Sequence, residues 1–74
     1  MIYKLQNGEL VEADNLRQLA EKMWQGKFDP EPTIELWMVG SARRAAMYDG
    51  SVLRTSSPED HVADMIQAGF VSRV

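Results

Sequence analysis

No cysteine occurs among the 74 residues of this chain. A domain this short buries a smaller share of its surface than a large one, and without disulfides or thiolate-bound metal it must rest on its hydrophobic core alone. That constraint leaves no room for a second core or for the large concave pocket most enzymes need. It also removes iron–sulfur ligation and cysteine nucleophiles, and it points to a reducing compartment. The composition permits such a core: 45% of the residues are apolar and 26% are charged, as in folded domains rather than disordered chains. Eight Lys and Arg stand against eleven Asp and Glu, a formal charge of −3, which disfavours a sequence-independent grip on a phosphate backbone.

Met1-Ile2-Tyr3-Lys4-Leu5 interrupts its apolar positions with a charge and runs straight into a turn, which is wrong for a signal peptide. No apolar run approaches the roughly 20 residues of a transmembrane helix. The expectation is one cytoplasmic domain over residues 1–74, with no membrane partner.

Asn7-Gly8 separates two short runs and predicts a two-residue type I′ hairpin turn within Ile2 to Ala13. That turn pairs Leu5 with Leu10 and Tyr3 with Glu12, and it assigns Tyr3, Leu5 and Leu10 to the core side. Behind a cap at Asp14 or Asn15, the positions Leu16, Leu19, Ala20, Met23 and Trp24 follow helical spacing, and Gly26 ends the helix. Ser57 as cap, Pro58 at the first helical position and Glu59 and Asp60 in the first turn predict a last helix. Val62, Met65 and Ile66 form its apolar stripe, and Gly69 ends it.

Residues 33–54 admit two readings. As a helix from Thr33 to Tyr48, Ile34, Trp37, Met38, Ser41, Ala45 and Tyr48 fall within about 60° of one direction. As strands, Ile34 to Val39 is an apolar run, Gly40-Ser41 turns, and Asp49-Gly50 closes a second hairpin. Composition favours the helix, because Ser41 to Met47 is poor strand material, despite a cost of about 1 kcal/mol for an internal Gly40. Val52–Thr55 then becomes a short third strand for the hairpin. The fold class expected is α+β, a hairpin with that third strand packed with three α-helices.

The run Tyr48-Asp49-Gly50-Ser51-Val52-Leu53-Arg54-Thr55-Ser56-Ser57-Pro58-Glu59 and the ending Ala63-Asp64-Met65-Ile66-Gln67-Ala68-Gly69-Phe70 resemble small uncharacterised proteins carried by bacteria on phages and other mobile elements. Those proteins similarly open with a short polar-turn hairpin. The shared features are caps and stops, and the group carries no assigned activity. The resemblance therefore implies a context, that of a mobile-element accessory protein, and no functional residue.

The side-chain chemistry points away from catalysis. His61 lies among Glu59, Asp60 and Asp64, a spacing that allows a shallow metal or acid–base cluster. Acidic residues gather at helix starts for electrostatic reasons, however, and one histidine without a second nitrogen ligand makes a weak site. Ser57 caps a helix, and Ser51 and Ser56 sit on no strained nucleophile elbow. The scattered glycines form no phosphate loop. No enzyme, cofactor or metal is expected.

Nucleic-acid binding rests on Arg43, Arg44 and Arg54 as candidate contacts in a helix-turn-helix or winged-helix-like arrangement. In residues 37–74 those three and Arg73 are balanced by Asp49, Glu59, Asp60 and Asp64. A recognition helix presents several basic or amide side chains, whereas the last helix opens with two acids. The helical reading of 33–48 carries a different signal. With Ile34, Trp37 and Ala45 inward, Leu36, Gly40, Arg43 and Met47 line the opposite side, with Val39 and Ala46 beside them. A small domain seldom leaves such a strip open, and Met and Arg are enriched at interface cores. Leu36, Val39, Gly40, Arg43 and Met47, with Trp24 as a flanking anchor, are the expected protein-contact residues, for a homodimer or another protein. The alternative reading is that the hairpin or residues 70–74 cover the strip. The functional expectation is a protein-binding accessory module that modulates host machinery, inhibitors of the anti-CRISPR kind included. The rivals are a DNA binder and a phage structural or assembly protein.

Overall fold

The structure, a computed structural model, describes residues 1–26 and 28–74. Its elements are β1 (Ile2–Leu5), β2 (Leu10–Glu12), α1 (Leu16–Gln25), α2 (Ile34–Asp49), α3 (Pro58–Gln67) and β3 (Val71–Arg73). The fold is α+β, with an antiparallel sheet in the order β2-β1-β3. Residues 34–49 are one helix, so the strand reading of that segment falls.

Local chemistry explains the helix limits. Asn15, Thr33 and Ser57 are in extended conformation, and their side chains accept from the N–H groups of Gln18, Leu36 and Asp60. Each satisfies one of the amides that a helix start leaves without a partner. At the end of α2, Gly50 turns left-handed at φ 79° and donates to the Ala46 carbonyl at 3.1 Å. Behind α3, Gly69 at φ 88° donates to Ile66 while Phe70 donates to Met65 at 2.9 Å. This paired closure reverses the chain and aims it back along the sheet.

The hairpin departs from expectation by one residue. Leu5 donates to the Glu9 carbonyl and Gly8 to the Leu5 carbonyl, so the loop is Gln6-Asn7-Gly8. Gly8 alone has a positive φ, of 90°, while the Asn7 carboxamide accepts the Glu9 N–H. A three-residue loop needs only that one left-handed position, and the Asn7 side chain supplies the closing bond. The register becomes Tyr3 with Val11 and Lys4 with Leu10. A slip of one residue exchanges faces along a strand. Val11 and Ala13 therefore turn inward, and Leu10, expected in the core, is 61% exposed.

The third strand is not Val52–Thr55. That segment has no regular structure, and its backbone is bonded by α3 side chains: Asp64 accepts the Arg54 N–H, and His61 takes the Arg54 carbonyl. With those groups engaged, it offers no ladder to β1. Val71–Arg73 pairs with β1 instead, Leu5 opposite Val71 and Tyr3 opposite Arg73.

Packing places α1 and α3 side by side against the strands, with α2 stacked on those two helices. Among the described residues α2 has no close backbone contact with the sheet. The core runs from Tyr3 and Val71 through Leu19, Ala20 and Val62 to Trp37 and Met38. No described helix is long and apolar enough to cross a membrane.

Candidate protein-contact face

Because α2 is the outermost layer, only one of its sides can be covered from within the chain. Ile34, Trp37, Met38, Ser41 and Ala45 are its buried residues. On the far side Leu36 is 53% exposed, Val39 46% and Met47 81%, and Arg43 and Ala46 are exposed beside them. Neither the hairpin nor residues 70–74 cover this strip, which stays exposed; Phe70 meets α2 at Tyr48 instead, with ring centroids 6.1 Å apart. A helix apolar on two faces is usually buried on both. Arg43 is the one charged residue among Leu36, Val39, Arg43, Ala46 and Met47, and the Gly40 edge of the strip is flanked by the Arg44 guanidinium and a Glu31 carboxylate.

Gly40 and Trp24 take other roles. A Cβ at Gly40 would lie 3.4 Å from Arg44 Nη1 and 3.8 Å from a Glu31 carboxylate oxygen. Gly40 is therefore half-covered by side chains from the flank, and its lack of a side chain gives the Arg44 guanidinium room along the helix. Trp24 is half-buried against the core, and its indole N–H donates to the Glu31 carbonyl at 2.7 Å. This bond ties the connection between α1 and α2 to α1. Trp24 is a bracket within the fold more than a free anchor.

The three arginines considered for nucleic acid do not share one environment. Arg43 lies on the open strip and Arg44 on a flank of α2 about 100° around the helix. Arg54 is held by α3: its Nε and Nη2 donate to the two Asp64 oxygens at 3.0 Å each, and Nη1 lies 3.7 Å from Asp60. The forked bond holds the Asp64 carboxyl below its ordinary range and raises the Arg54 guanidinium. Arg54 therefore fastens residues 51–57 to α3, and a phosphate contact would have to displace two carboxylates.

His61 is not on the surface with its acidic neighbours. Its ring is fully buried, edge-on to Trp37 with centroids 5.1 Å apart, and Nδ1 lies 2.8 Å from the Arg54 carbonyl. A carbonyl only accepts, so Nδ1 carries the proton and Nε2 is left as a buried lone pair with no partner. Burial is the main cause that holds this imidazole below its ordinary pKa. Among the described residues no three His, Cys, Asp or Glu side chains are grouped to hold a metal ion.

Two further features lay outside the sequence reading. The outer sheet face exposes Ile2, Leu10 and Val74, but Lys4 and Glu12 interleave them. In addition, a groove of about 590 Å³ opens where α2 stands away from the hairpin turn, although so short a chain was expected to have no large concavity. Its lining comes from distant parts of the chain, Leu5, Trp37, Leu53 and Phe70 among them, and no local spacing announces such a set. Set against protein-family models, curated proteins and solved structures, the chain matches none.

Proposed function

We propose that the protein is a non-enzymatic binding module that acts in the cytoplasm by docking another protein on the outer face of α2. The observation that carries this reading is the open strip of Leu36, Val39 and Met47 on the side of α2 turned away from the core. The complementary surface would offer an apolar ridge to the strip and a carboxylate to Arg43, at the centre of the contact where charge pairs discriminate partners. In the mobile-element setting that the sequence resemblance implies, such a module would modulate or inhibit a host protein.

The test is capture of partners by the tagged full chain with nuclease present, against the Leu36→Asp/Met47→Asp double variant. Both side chains are exposed, so the variant should fold with an unchanged thermal midpoint while nuclease-resistant capture falls at least tenfold. Equal capture by the two proteins would overturn the reading. Light scattering on both proteins separates self-association from a second partner.

A further inference from the structure

Among the described residues, Nε2 of His61 is the one buried side-chain nitrogen or oxygen without a hydrogen-bond partner. The ring stands where three parts of the fold meet. It is carried by α3, its Nδ1–H is taken by the Arg54 carbonyl of residues 51–57, and the Trp37 ring of α2 lies edge-on against it.

The contact with α2 is the one that can open. Both segments flanking α2 are fastened to other helices: the Trp24 indole N–H holds the Glu31 carbonyl ahead of it, and the Asp64 carboxylate grips Arg54 behind it. The strands, α1 and α3 also share core residues of their own, Tyr3, Leu19, Ala20, Val62 and Val71. An outermost helix tethered at both ends can lift and return while the rest keeps its packing.

No acceptor waits for a proton at Nε2. The inward side chains of α2 carry no charge, and its charged residues Glu35, Arg43, Arg44 and Asp49 are exposed. On α1, Arg17 and Glu21 pair with each other, Arg17 also reaches Glu59, and Lys22 donates to the Glu12 carbonyl. The sheet keeps Lys4, Glu12 and Arg73 exposed, and its buried Tyr3 turns the hydroxyl to the Met1 sulfur. On α3, Asp60 and Asp64 are engaged by Arg54.

We infer that His61 is a proton-operated latch for α2: with Nε2 bare the helix lies closed on the ring, and a proton at Nε2 lifts α2 away while α1, α3 and the sheet stay assembled. The bond from Nδ1 to the Arg54 carbonyl persists in both states, because an imidazolium donates from both nitrogens. Only the new Nε2–H needs water, and lifting Trp37 admits it. The uncovered ring titrates near its ordinary value of about 6.5, so acid below that value favours the open state by up to about tenfold per pH unit. Its consequence for docking, a loss of capture in mild acid, rests on the reading of the outer face of α2 given above. The latch itself does not, so the experiment uses the full chain without a partner.

That experiment is amide hydrogen exchange followed by NMR at pH 7.5 and 5.5, with rates corrected for the intrinsic effect of pH. The amides of Met38, Ser41 and Ala45 in α2 should be less protected than those of Ala20 and Met65 at both values. Their protection should fall about tenfold between the two, as expected for an opening that frees one histidine. His61→Phe should remove that fall, and His61→Gln gives the same comparison if the phenylalanine variant does not fold. Three results would each overturn the inference: α2 amides as protected as Ala20 and Met65, which would mean that α2 opens only with the whole domain; α2 protection in the parent that does not change with pH; or the same fall in a folded variant without the histidine. The first two are read from the parent alone.

Discussion

Mild acid should loosen this fold through one imidazole before any carboxylate contributes. The His61 ring has no exposed surface, its Nδ1–H is taken by the Arg54 carbonyl, and its Nε2 faces no acceptor. A proton added at Nε2 would sit in the core beside the Trp37 ring with nothing to solvate it. Burial outweighs the Arg54 carbonyl and the Asp64 carboxylate, both of which favour the cation, and holds the folded-state pKa below the usual 6.5. Between the two values the unfolded chain binds more protons than the folded one. Stability is therefore intact above pH 6.5 and falls as the pH drops below it. The slope approaches about 1.4 kcal/mol per pH unit until the folded-state value is reached. For a domain of this length total stability is of order 4–11 kcal/mol, so one unit of acid removes a measurable share. Urea unfolding followed by tryptophan emission from pH 8 to 5 reads the slope directly. His61→Phe keeps a ring in the site and removes the titration, so its stability should be flat between pH 6.5 and 5. It should be lower than the parent's at pH 8 by about 1–2 kcal/mol for the lost bond to Arg54. Parallel slopes for parent and variant would refute the argument, as would a His61 ring resonance that titrates at or above 6.5. Asp64 acts in a separate window, because its folded-state pKa lies below the ordinary carboxylate value. Its contribution is present above that value and is lost only at more acid pH.

Two further outcomes test the local readings. Leu10→Asn should change stability by no more than about 0.5 kcal/mol whereas Val11→Asn should cost at least about 1 kcal/mol, since the three-residue loop turns Val11 inward; thermal unfolding of the pair would show the reverse if the loop had two residues. Ser57→Ala removes the hydroxyl that accepts the Asp60 N–H at 3.1 Å, so the melting midpoint should fall by roughly 4–8 °C for the ~1 kcal/mol a cap contributes.

Element ends and helix faces were legible in the chain itself. Asn15, Thr33 and Ser57 cap from their own side chains, and Gly50 and Gly69 stop helices because they turn left-handed without a Cβ clash, so each signal acts within a few residues. The two faces of α2 follow from 100° per residue and from nothing else. Sequence alone thus determined the first and last helices and their starts, favoured a helix over two strands for the segment that became α2, and, given that helix, determined which side of it carries Leu36, Arg43 and Met47. Tertiary structure decided the rest. The hairpin register turned on whether Asn7 took a left-handed backbone or used its carboxamide, a choice of one residue that reversed the faces of Leu10 and Val11. The third strand went to 71–73 rather than 52–55 because Arg54 and its backbone are bound by His61 and Asp64 ten or fewer residues ahead on α3, and only the packed helix brings those partners to it. His61 entered the core for the same reason, since its partners Arg54 and Trp37 meet it through folding and not through spacing. The groove likewise exists because α2 stacks on α1 and α3 and stops short of the hairpin, a gap set by how layers pack.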